Sequence, residues 1–311
     1  MLGRLACGSV VFASPEPLRP GSTIAVVAPA SPFDRDELFR GLAWLRTRYR
    51  LKLSPGILTR TGYTAGDDTR RREELARAML DPEVEAIVSA RGGYGAMHIL
   101  GALPWQQLAK KPRWIVGFSD ITALHVEALS HGMCTLHAPN VTGLGRSITA
   151  TERLSLIDAL EGRPAAAWSD LTLLHAGTGG GGGGARVRGP IVGGNLALVV
   201  AMAAAGRTVV PEGAILALED VTERPYRIDR MLTSLRLGGH LARASAIVFG
   251  GFTQCEAGPD GVPVLDVLRD RTADLGVPVV ADAPFGHGAP NRTFVLGGAA
   301  ELDGLVLRFP V

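Results

Sequence analysis

The sequence has few aromatic residues and no excess of charge of either sign, and each shortage excludes a class of protein. Phe, Trp and Tyr make up only 5% of the 311 residues, which argues against an aromatic platform on which bases stack. Lys and Arg number 32 against 30 Asp and Glu, so the formal net charge is only +2. A balanced charge favours neither nucleic acid nor a membrane surface as partner, and we expect a small ligand.

Cysteines and long apolar runs are also scarce. Cys7, Cys134 and Cys255 are far apart and odd in number, so the sequence offers neither a disulfide framework nor a CxxC metal pair. Histidines and carboxylates show no H-x-x-x-H or H-E-x-x-H spacing, and we expect no metal site. The N-terminal segment lacks an apolar stretch of signal-peptide length, and no run reaches the roughly 20 apolar residues of a membrane helix. We therefore expect a protein of the reducing cytoplasm.

Strand, loop and helix patterns alternate in the first half of the chain. An apolar run at 23–28 is followed by apolar residues at helical spacing, which end at Tyr49. The other predicted strands span 85–90 and 114–118, and the other predicted helices span 67–80 and 121–131. Such alternation predicts a parallel sheet covered by helices.

Composition changes between residues 151 and 185, where six consecutive glycines occupy 179–184. Because ordering a glycine run has a high entropic cost, we expect a flexible linker at 151–185 between an N-terminal domain at 1–150 and a C-terminal domain at 186–311. In the C-terminal domain we expect helices at 196–205 and 226–237, and strands at 214–218, 245–249, 277–280, 293–296 and 305–308.

Ser119 is a candidate nucleophile. In the segment GFSD it follows an apolar strand and precedes a helix, where a rigid turn can hold a serine hydroxyl exposed. Capping of that helix is the alternative role, and serine plays it more often. Ile121 stands where the G-x-S-x-G motif of α/β-hydrolases has its second glycine, so that motif is absent.

The glycine loop RGGYG, residues 91–95, is a candidate for contact with a ligand. Its glycines allow close backbone approach, although a tight turn without chemistry is the alternative. A phosphate site is disfavoured because neither a dinucleotide fingerprint nor a P-loop lysine motif is present. The backbone N–H groups of Gly93 and of Asp120, the residue after Ser119, are candidate donors to an oxyanion.

A serine nucleophile needs a histidine base and a carboxylate that orients it. The histidines are His98, His125, His131, His137, His175, His240 and His287. His287 lies in a loop of Gly, Pro and Asn after an apolar strand, which favours a functional role over a structural one. Glu219 and Asp220 end the strand predicted at 214–218, and they face opposite sides, so only one of them can orient a single histidine. For Glu223, which follows in the loop, an ion pair with Arg224 or Arg227 is the competing explanation.

The segments RGGYG, GFSD, LED and GHG occur in an order that resembles the LD-carboxypeptidase family of serine peptidases, from about Ile24 to the C-terminus. The resemblance implies an α/β fold with an N-terminal flavodoxin-like or Rossmann-like parallel sheet and a C-terminal domain built around a small β-barrel. It also implies a homodimer without cofactor or metal. In the implied triad, Ser119 is the nucleophile, His287 the base and Glu219 the carboxylate that orients it. The N–H groups of Gly93 and Asp120 form the implied oxyanion hole.

The resemblance further implies a cytoplasmic enzyme of peptidoglycan recycling. Its substrate is a murein tetrapeptide, cut between an L-configured centre, meso-diaminopimelate or lysine, and a terminal D-alanine. Arg91 and Arg230 are candidates for binding the terminal carboxylate, with structural salt bridges as the alternative. Two other functions stay open, a microcin-C-type hydrolase of aminoacyl or peptidyl nucleotides and a non-catalytic peptide-binding protein. The first is disfavoured because the glycine-rich segment offers no evident aromatic residue for stacking on a base, with Trp168 the nearest.

Overall fold

The computed structural model describes residues 11–146, 148–178 and 186–310, and the predicted flexible glycine run at 179–184 lies outside these ranges. The strands are β1 Thr23–Val27, β2 Arg50–Leu53, β3 Ala86–Ser89, β4 Trp114–Gly117, β5 Thr135–His137, β6 Thr172–Ala176, β7 Val187–Asn195, β8 Ala214–Val221, β9 Ala244–Thr253, β10 Pro278–Ala281, β11 Phe294–Leu296, β12 Ala299–Asp303 and β13 Val306–Arg308. The α-helices are α1 Arg35–Arg46, α2 Asp68–Leu80, α3 Trp105–Lys110, α4 Thr122–Ser130, α5 Val141–Leu144, α6 Ala150–Leu160, α7 Leu196–Ala204, α8 Pro225–Leu237 and α9 Val264–Thr272.

The first sheet has the strand order β11-β5-β4-β3-β1-β2. The five strands from β5 to β2 are parallel, and β11 joins the edge antiparallel to β5. All residues of β1, β3, β4 and β5 are buried, which is typical of parallel strands covered on both faces. The carboxyl ends of the parallel strands therefore meet at one edge, where α/β proteins place their ligands.

The second sheet has the order β13-β12-β7-β8-β9-β10-β6, and its four central strands are parallel. One short segment reaches both edges of this sheet. Trp168 exchanges backbone hydrogen bonds with Leu307 of β13, at 2.8 and 2.9 Å, and β6, four residues further on, pairs with β10 at the opposite edge. The sheet is therefore strongly curled, with a half-barrel shape. Strand β11 links the two sheets because Gly297, directly after it, donates to Ile191 of β7.

Much of the segment predicted to be a linker, 151–185, is regular structure. Helix α6 begins with a capping box in which Thr149 and Glu152 exchange hydrogen bonds, and it buries Leu156 and Leu160. Strand β6 adds to the second sheet. A flexible linker over the whole segment is therefore wrong, because the glycine run occupies only its end and the part before it has a capping box and an apolar helix face. The predicted domain boundaries stay a prediction.

The other predicted strands and helices are present, with ends that differ by a few residues. Short strands such as β2 and β5 were missed because four or three residues give too little periodicity to recognise. Within the described ranges, none of the helices combines the length and the apolar character needed to cross a bilayer.

Candidate active site

Ser119 lies two residues after the end of β4, at the carboxyl edge of the first sheet, in a strained turn. Its φ of 66° is in the left-handed region that residues with a Cβ avoid. Helix α4 starts three residues later, and its first turn receives no hydrogen bond from a capping side chain. The hydroxyl of Ser119 therefore does not cap this helix. Backbone strain of this kind is found where a serine is presented to a ligand.

Gly92 of the glycine loop packs against this turn. A Cβ at position 92 would lie 2.8 Å from the Cβ of Ser119 and 3.0 Å from the carbonyl oxygen of Phe118. Such distances are below van der Waals contact, so only glycine fits here. The loop after β3 and the turn after β4 therefore meet at the serine.

Several hydrogen bonds fix the glycine loop in place. Asp120 is buried, and its Oδ2 accepts the N–H of Ala96 at 2.8 Å. Ser31, in the loop after β1, accepts the N–H of Tyr94 with its hydroxyl at 3.0 Å. The buried guanidinium of Arg71 donates to the carbonyl of Gly95 at 2.7 Å. None of these bonds uses the N–H of Gly93, the oxyanion donor expected from the sequence.

Burial raises the pKa of the Asp120 carboxyl, and hydrogen bonds from the backbone of Ala96 and the charge of Arg71 oppose the rise. Its side chain therefore acts as an acceptor for the loop. The sequence predicts the backbone N–H of Asp120 as an oxyanion donor, and the hydrogen bond of its side chain does not involve that N–H.

Glu219 and His287 form a close pair. The Nδ1 of His287 lies 2.7 Å from the Oε2 of Glu219, which is fully buried, while the imidazole is 18% exposed. A carboxylate accepts, so Nδ1 carries the proton and Nε2 has a lone pair free to accept another. Gly286 allows this approach, because a Cβ there would lie 3.0 Å from the same Oε2. This is the arrangement of an oriented histidine base.

Asp220 binds the start of α7, and an irregularity of β8 between Leu218 and Asp220 places its carboxylate and that of Glu219 within reach of the same asparagine. Its carboxylate accepts the side-chain N–H of Asn195 at 2.9 Å and the backbone N–H of Ala197, in the first turn of α7, at 3.0 Å. Burial raises the pKa of Asp220 to about 6, against hydrogen bonds from Val221 and Asn195. Asn195 also lies 3.4 Å from the second oxygen of Glu219, so it bridges the two carboxylates.

His287 packs against the residue next to the serine. The ring of Phe118 lies 4.8 Å from the imidazole, centroid to centroid, and Phe118 precedes Ser119 in the chain. Behind Phe118 lies the buried His137, which stacks on Phe294 at 4.9 Å and meets Phe285 edge on. The contact of Phe118 with His287, backed by this aromatic cluster, thus places the Glu219–His287 pair beside the serine turn.

The remaining histidines have structural surroundings. His125 is buried, its Nε2 donates to the carbonyl of Gly117 at 2.9 Å, and burial lowers its pKa to about 4. His131 and His175 contact backbone carbonyls of Glu127 and Arg269. His98 lies 3.5 Å from the exposed Asp68, in a position where water competes for both groups.

The other polar candidates fall outside this cluster. Glu223 pairs with Arg227 at 3.1 Å. Arg230 lies over the ring of Tyr226, 5.8 Å from its centroid, while Arg91 donates to the carbonyl of Pro32 at 2.6 Å. Trp168 is buried against Phe285 and is closed to a stacking base.

Two features of the site were not expected from the sequence, and both had signals. Asn195 begins α7 as its N-cap, and asparagine before an apolar helix is a standard start signal. Glu152 accepts the N–H of Asn291 in the loop that carries His287. The T-x-x-E capping box at 149–152 signals the position of Glu152 at the start of α6, but not its contact with Asn291. In the ranges that the structure covers, no three His, Cys, Asp or Glu side chains group closely enough to hold a metal ion.

The chain is similar to known peptidases over most of its length. Residues 24–138 match the LD-carboxypeptidase N-terminal domain and residues 188–302 match the LD-carboxypeptidase C-terminal domain. A putative carboxypeptidase of Synechocystis sp. is 40% identical over 301 residues, which cover 94% of this chain and 95% of the relative. A murein tetrapeptide carboxypeptidase of Pseudomonas aeruginosa is 34% identical, with coverage of 92% and 94%.

Solved structures share the fold. A muramoyltetrapeptide carboxypeptidase from Oxalobacter formigenes superposes with a TM-score of 0.79 at 26% identity, covering 93% of this chain and all of that one. The microcin C7 self immunity protein MccF superposes with a TM-score of 0.84 at 19% identity, covering 96% and 98%. At that identity the second likeness concerns the fold alone. Together they confirm the expected fold class, α/β with an N-terminal parallel sheet, and the small β-barrel expected after it is present as the curled, half-barrel second sheet.

Proposed function

Because this chain belongs to the LD-carboxypeptidase family, we propose that it is a serine carboxypeptidase that releases the terminal D-alanine of murein tetrapeptides. The bond cut joins an L-configured centre, meso-diaminopimelate or lysine, to that D-alanine. The observation that carries the proposal is the 2.7 Å contact of His287 with buried Glu219, beside the strained turn of Ser119. The name of the Pseudomonas aeruginosa relative supports the substrate class.

In the proposed reaction Ser119 attacks the scissile carbonyl while Nε2 of His287 takes the hydroxyl proton. Glu219 stabilises the resulting imidazolium, since its charge lies against the protonated Nδ1. The imidazolium then returns the proton to the departing amine of D-alanine, which leaves an acyl-enzyme on Ser119. Water, deprotonated by His287, resolves the ester and restores the serine.

The tetrahedral intermediate needs donors for its oxyanion, and we assign this role to the N–H groups of Gly93 and Asp120. Support comes from the contact of Gly92 with Ser119, which brings the glycine loop to the reacting carbonyl. Preorganised donors of this kind contribute on the order of 3 kcal/mol each to transition-state stabilisation. The hydrogen bonds of the loop with Arg71, Ser31 and Asp120 hold these donors in place, so the loop need not rearrange during the reaction.

Three further parts of the proposal rest on the family resemblance. They are a role in peptidoglycan recycling, a cytoplasmic location and a homodimer. Light scattering tests the last of these, and a monomer at working concentration contradicts it. No nucleic-acid, membrane, cofactor or metal partner is part of the proposal.

Parallel incubations test the function against its alternatives. The substrates are the L,D-tetrapeptide L-Ala-γ-D-Glu-L-Lys-D-Ala, its diastereomer that ends in L-Ala, and an aminoacyl sulfamoyl adenosine. Mass spectrometry of the products should show release of D-alanine from the first alone. Cleavage of the nucleotide conjugate instead indicates the microcin-C-type activity, which the buried Trp168 disfavours. Binding of the tetrapeptide without any product indicates a non-catalytic binding protein.

A further inference from the structure

A groove with a volume of about 480 Å³ lies at the carboxyl edge of the first sheet. Its walls are residues 32–35, at the end of the loop after β1 and the start of α1, the segment 57–60 after β2, and Arg91, two residues after β3. The volume falls in the range of ordinary small-molecule sites.

The groove is positively charged. Arg35, Arg60 and Arg91 line it, all three are exposed, and none forms an ion pair with a carboxylate of the described residues. Asp34 also lines it, but its Oδ1 accepts the N–H of Glu37 as the cap of α1. Exposed arginines elsewhere do pair with carboxylates, among them Arg146, Arg227, Arg236 and Arg308. The groove is therefore lined by three guanidinium groups and a single carboxylate, Asp34, which caps α1.

The groove begins next to the serine turn. Arg91 precedes Gly92, whose Cα faces Ser119, and the carbonyl of Pro32 holds Arg91 in place at 2.6 Å. Strands lie about 4.8 Å apart, so the loops after β1 and β2 are roughly 10–14 Å from the end of β4. The cleaved centre and the residue upstream of it span about 7 Å when extended, and the long arginine side chains of the groove extend back over the remaining few ångströms. A peptide with its scissile carbonyl at Ser119 can therefore lay its upstream residues over the groove.

We propose that this arginine groove binds a carboxylate of the peptide on the acyl side of the scissile bond. The proposal rests on the proposed function and names the part of the substrate that the groove recognises. In a murein peptide the D-glutamate is joined through its γ-carboxyl, which leaves its α-carboxylate free one residue upstream of the cleaved centre. Guanidinium groups bind carboxylates with paired hydrogen bonds, and Arg91 uses one of its five donors on Pro32.

Two tetrapeptides that differ in this carboxylate test the groove. One is L-Ala-γ-D-Glu-L-Lys-D-Ala, and the other carries an amide in place of the α-carboxylate of D-glutamate. We expect the parent enzyme to favour the free carboxylate by about 10-fold in kcat/KM, a modest value for a solvent-exposed charged hydrogen bond. Arg60→Gln and Arg91→Gln should each reduce this preference, and the triple variant with Arg35→Gln should abolish it.

Arg50→Gln is the matched control. Arg50 is exposed at the first residue of β2, paired in register with the first residue of β1, and so lies at the opposite edge of the sheet. Arg50→Gln removes the same positive charge as each groove substitution, and the variant should keep the parent's preference for the free α-carboxylate. Equal loss in Arg50→Gln, or a preference that survives in the triple variant, overturns the proposal.

A third peptide with a C-terminal amide separates the two carboxylate sources. If the arginine substitutions matter only when the terminal carboxylate is free, the groove binds the leaving residue and the acyl-side assignment is wrong. Calorimetry with Ser119→Ala protein measures binding of the free and the α-amidated tetrapeptide without turnover. If binding depends on the arginines but the parent enzyme releases no D-alanine, the proposed function is refuted, while the groove remains a binding site for the carboxylate. D-alanine release that is indifferent to the arginines refutes the groove alone.

Discussion

Glu152 of α6 accepts the backbone N–H of Asn291 through its Oε1, at 2.9 Å. Its other oxygen accepts the N–H of Thr149 at the start of the helix, at 2.8 Å. Asn291 in turn accepts the N–H of Gly286, the residue before His287, with its side-chain oxygen at 3.1 Å. One buried carboxylate therefore joins the start of α6 to the loop that carries the histidine of the site.

We expect Glu152→Ala to lower both stability and turnover. The substitution removes a helix cap and leaves buried N–H groups without acceptors, at a cost of about 1–3 kcal/mol in the free energy of unfolding. A histidine displaced by about 1 Å can cost as much as 100-fold in kcat. Urea unfolding and steady-state kinetics measure the two effects, and Glu152→Gln, which keeps an acceptor oxygen, should recover part of each. Parental kcat in a folded Glu152→Ala protein contradicts the positioning role.

Gly92→Ala tests the contact between the glycine loop and the serine turn. The added Cβ would lie 2.8 Å from the Cβ of Ser119, so one of the two segments must shift. We expect kcat to fall by about 100-fold, because displacement of the loop and of the nucleophile both misplace reacting groups. Gly101→Ala is the control, since a Cβ at that position meets nothing within 4 Å. Equal activity of the two variants would show that the contact is irrelevant to turnover.

Local patterns predicted most of the core of this fold, and the reasons for the failures are specific. Strands such as β4 and helices such as α2 have buried faces with a clear period, and Asp67 marks the start of α2 as its N-cap. Helix α6 was missed because the flexibility expected of the glycine run was extended over the whole of 151–185, although a capping box starts the helix at Thr149. The role of Glu152 depends on a contact with Asn291, 139 residues away, which no local pattern encodes. The groove arginines come from the start of α1 and from the segments after β2 and β3, which only the parallel sheet order brings together.

Glu219→Gln tests the orienting carboxylate. Its amide can still accept from Nδ1, but it can also donate and thereby select the wrong tautomer, and it has no charge to stabilise the imidazolium. We expect kcat to fall by about 10²–10⁴-fold, by analogy with other serine triads. Glu223→Gln is the control. It removes the same negative charge four residues further along the chain, where Glu223 pairs with Arg227, and it should retain the parental kcat. Comparable kcat in the two variants contradicts the assignment of Glu219.

His137 should make the fold sensitive to acid. Burial lowers the pKa of His137 to about 3. The charges of the neighbouring His125 and His287 lower this pKa further, and Asn291 raises it. The unfolded chain takes up this proton near pH 6.5 and the folded chain does not, so stability is complete above pH 6.5 and is lost as the pH falls towards 3. The loss is about 1.4 kcal/mol per pH unit for one group.

His137→Phe should remove that contribution. The ring stands among Phe118, Phe285 and Phe294, and neither of its nitrogens has a partner of good geometry among the described residues. The difference in unfolding free energy between parent and variant, measured between pH 4 and 7, should therefore be constant above pH 6.5 and should shift in favour of the variant below it. The comparison cancels the contributions of His125 and Asp220, which both proteins share. Parallel curves over the whole range contradict the buried neutral state of His137.

The central claim is that the hydroxyl of Ser119 attacks the scissile bond, with His287 and Glu219 as its base and orienter. Release of D-alanine from the L,D-tetrapeptide by Ser119→Ala, compared with Ser130→Ala at the last residue of α4, tests it most directly. The hydroxyl of Ser130 donates to the carbonyl of Val126 within that helix, so its loss should leave the rate unchanged. We predict that Ser119→Ala is folded and about 10³–10⁶-fold slower in kcat than the parent. Release of D-alanine by folded Ser119→Ala at the parental rate would contradict the account.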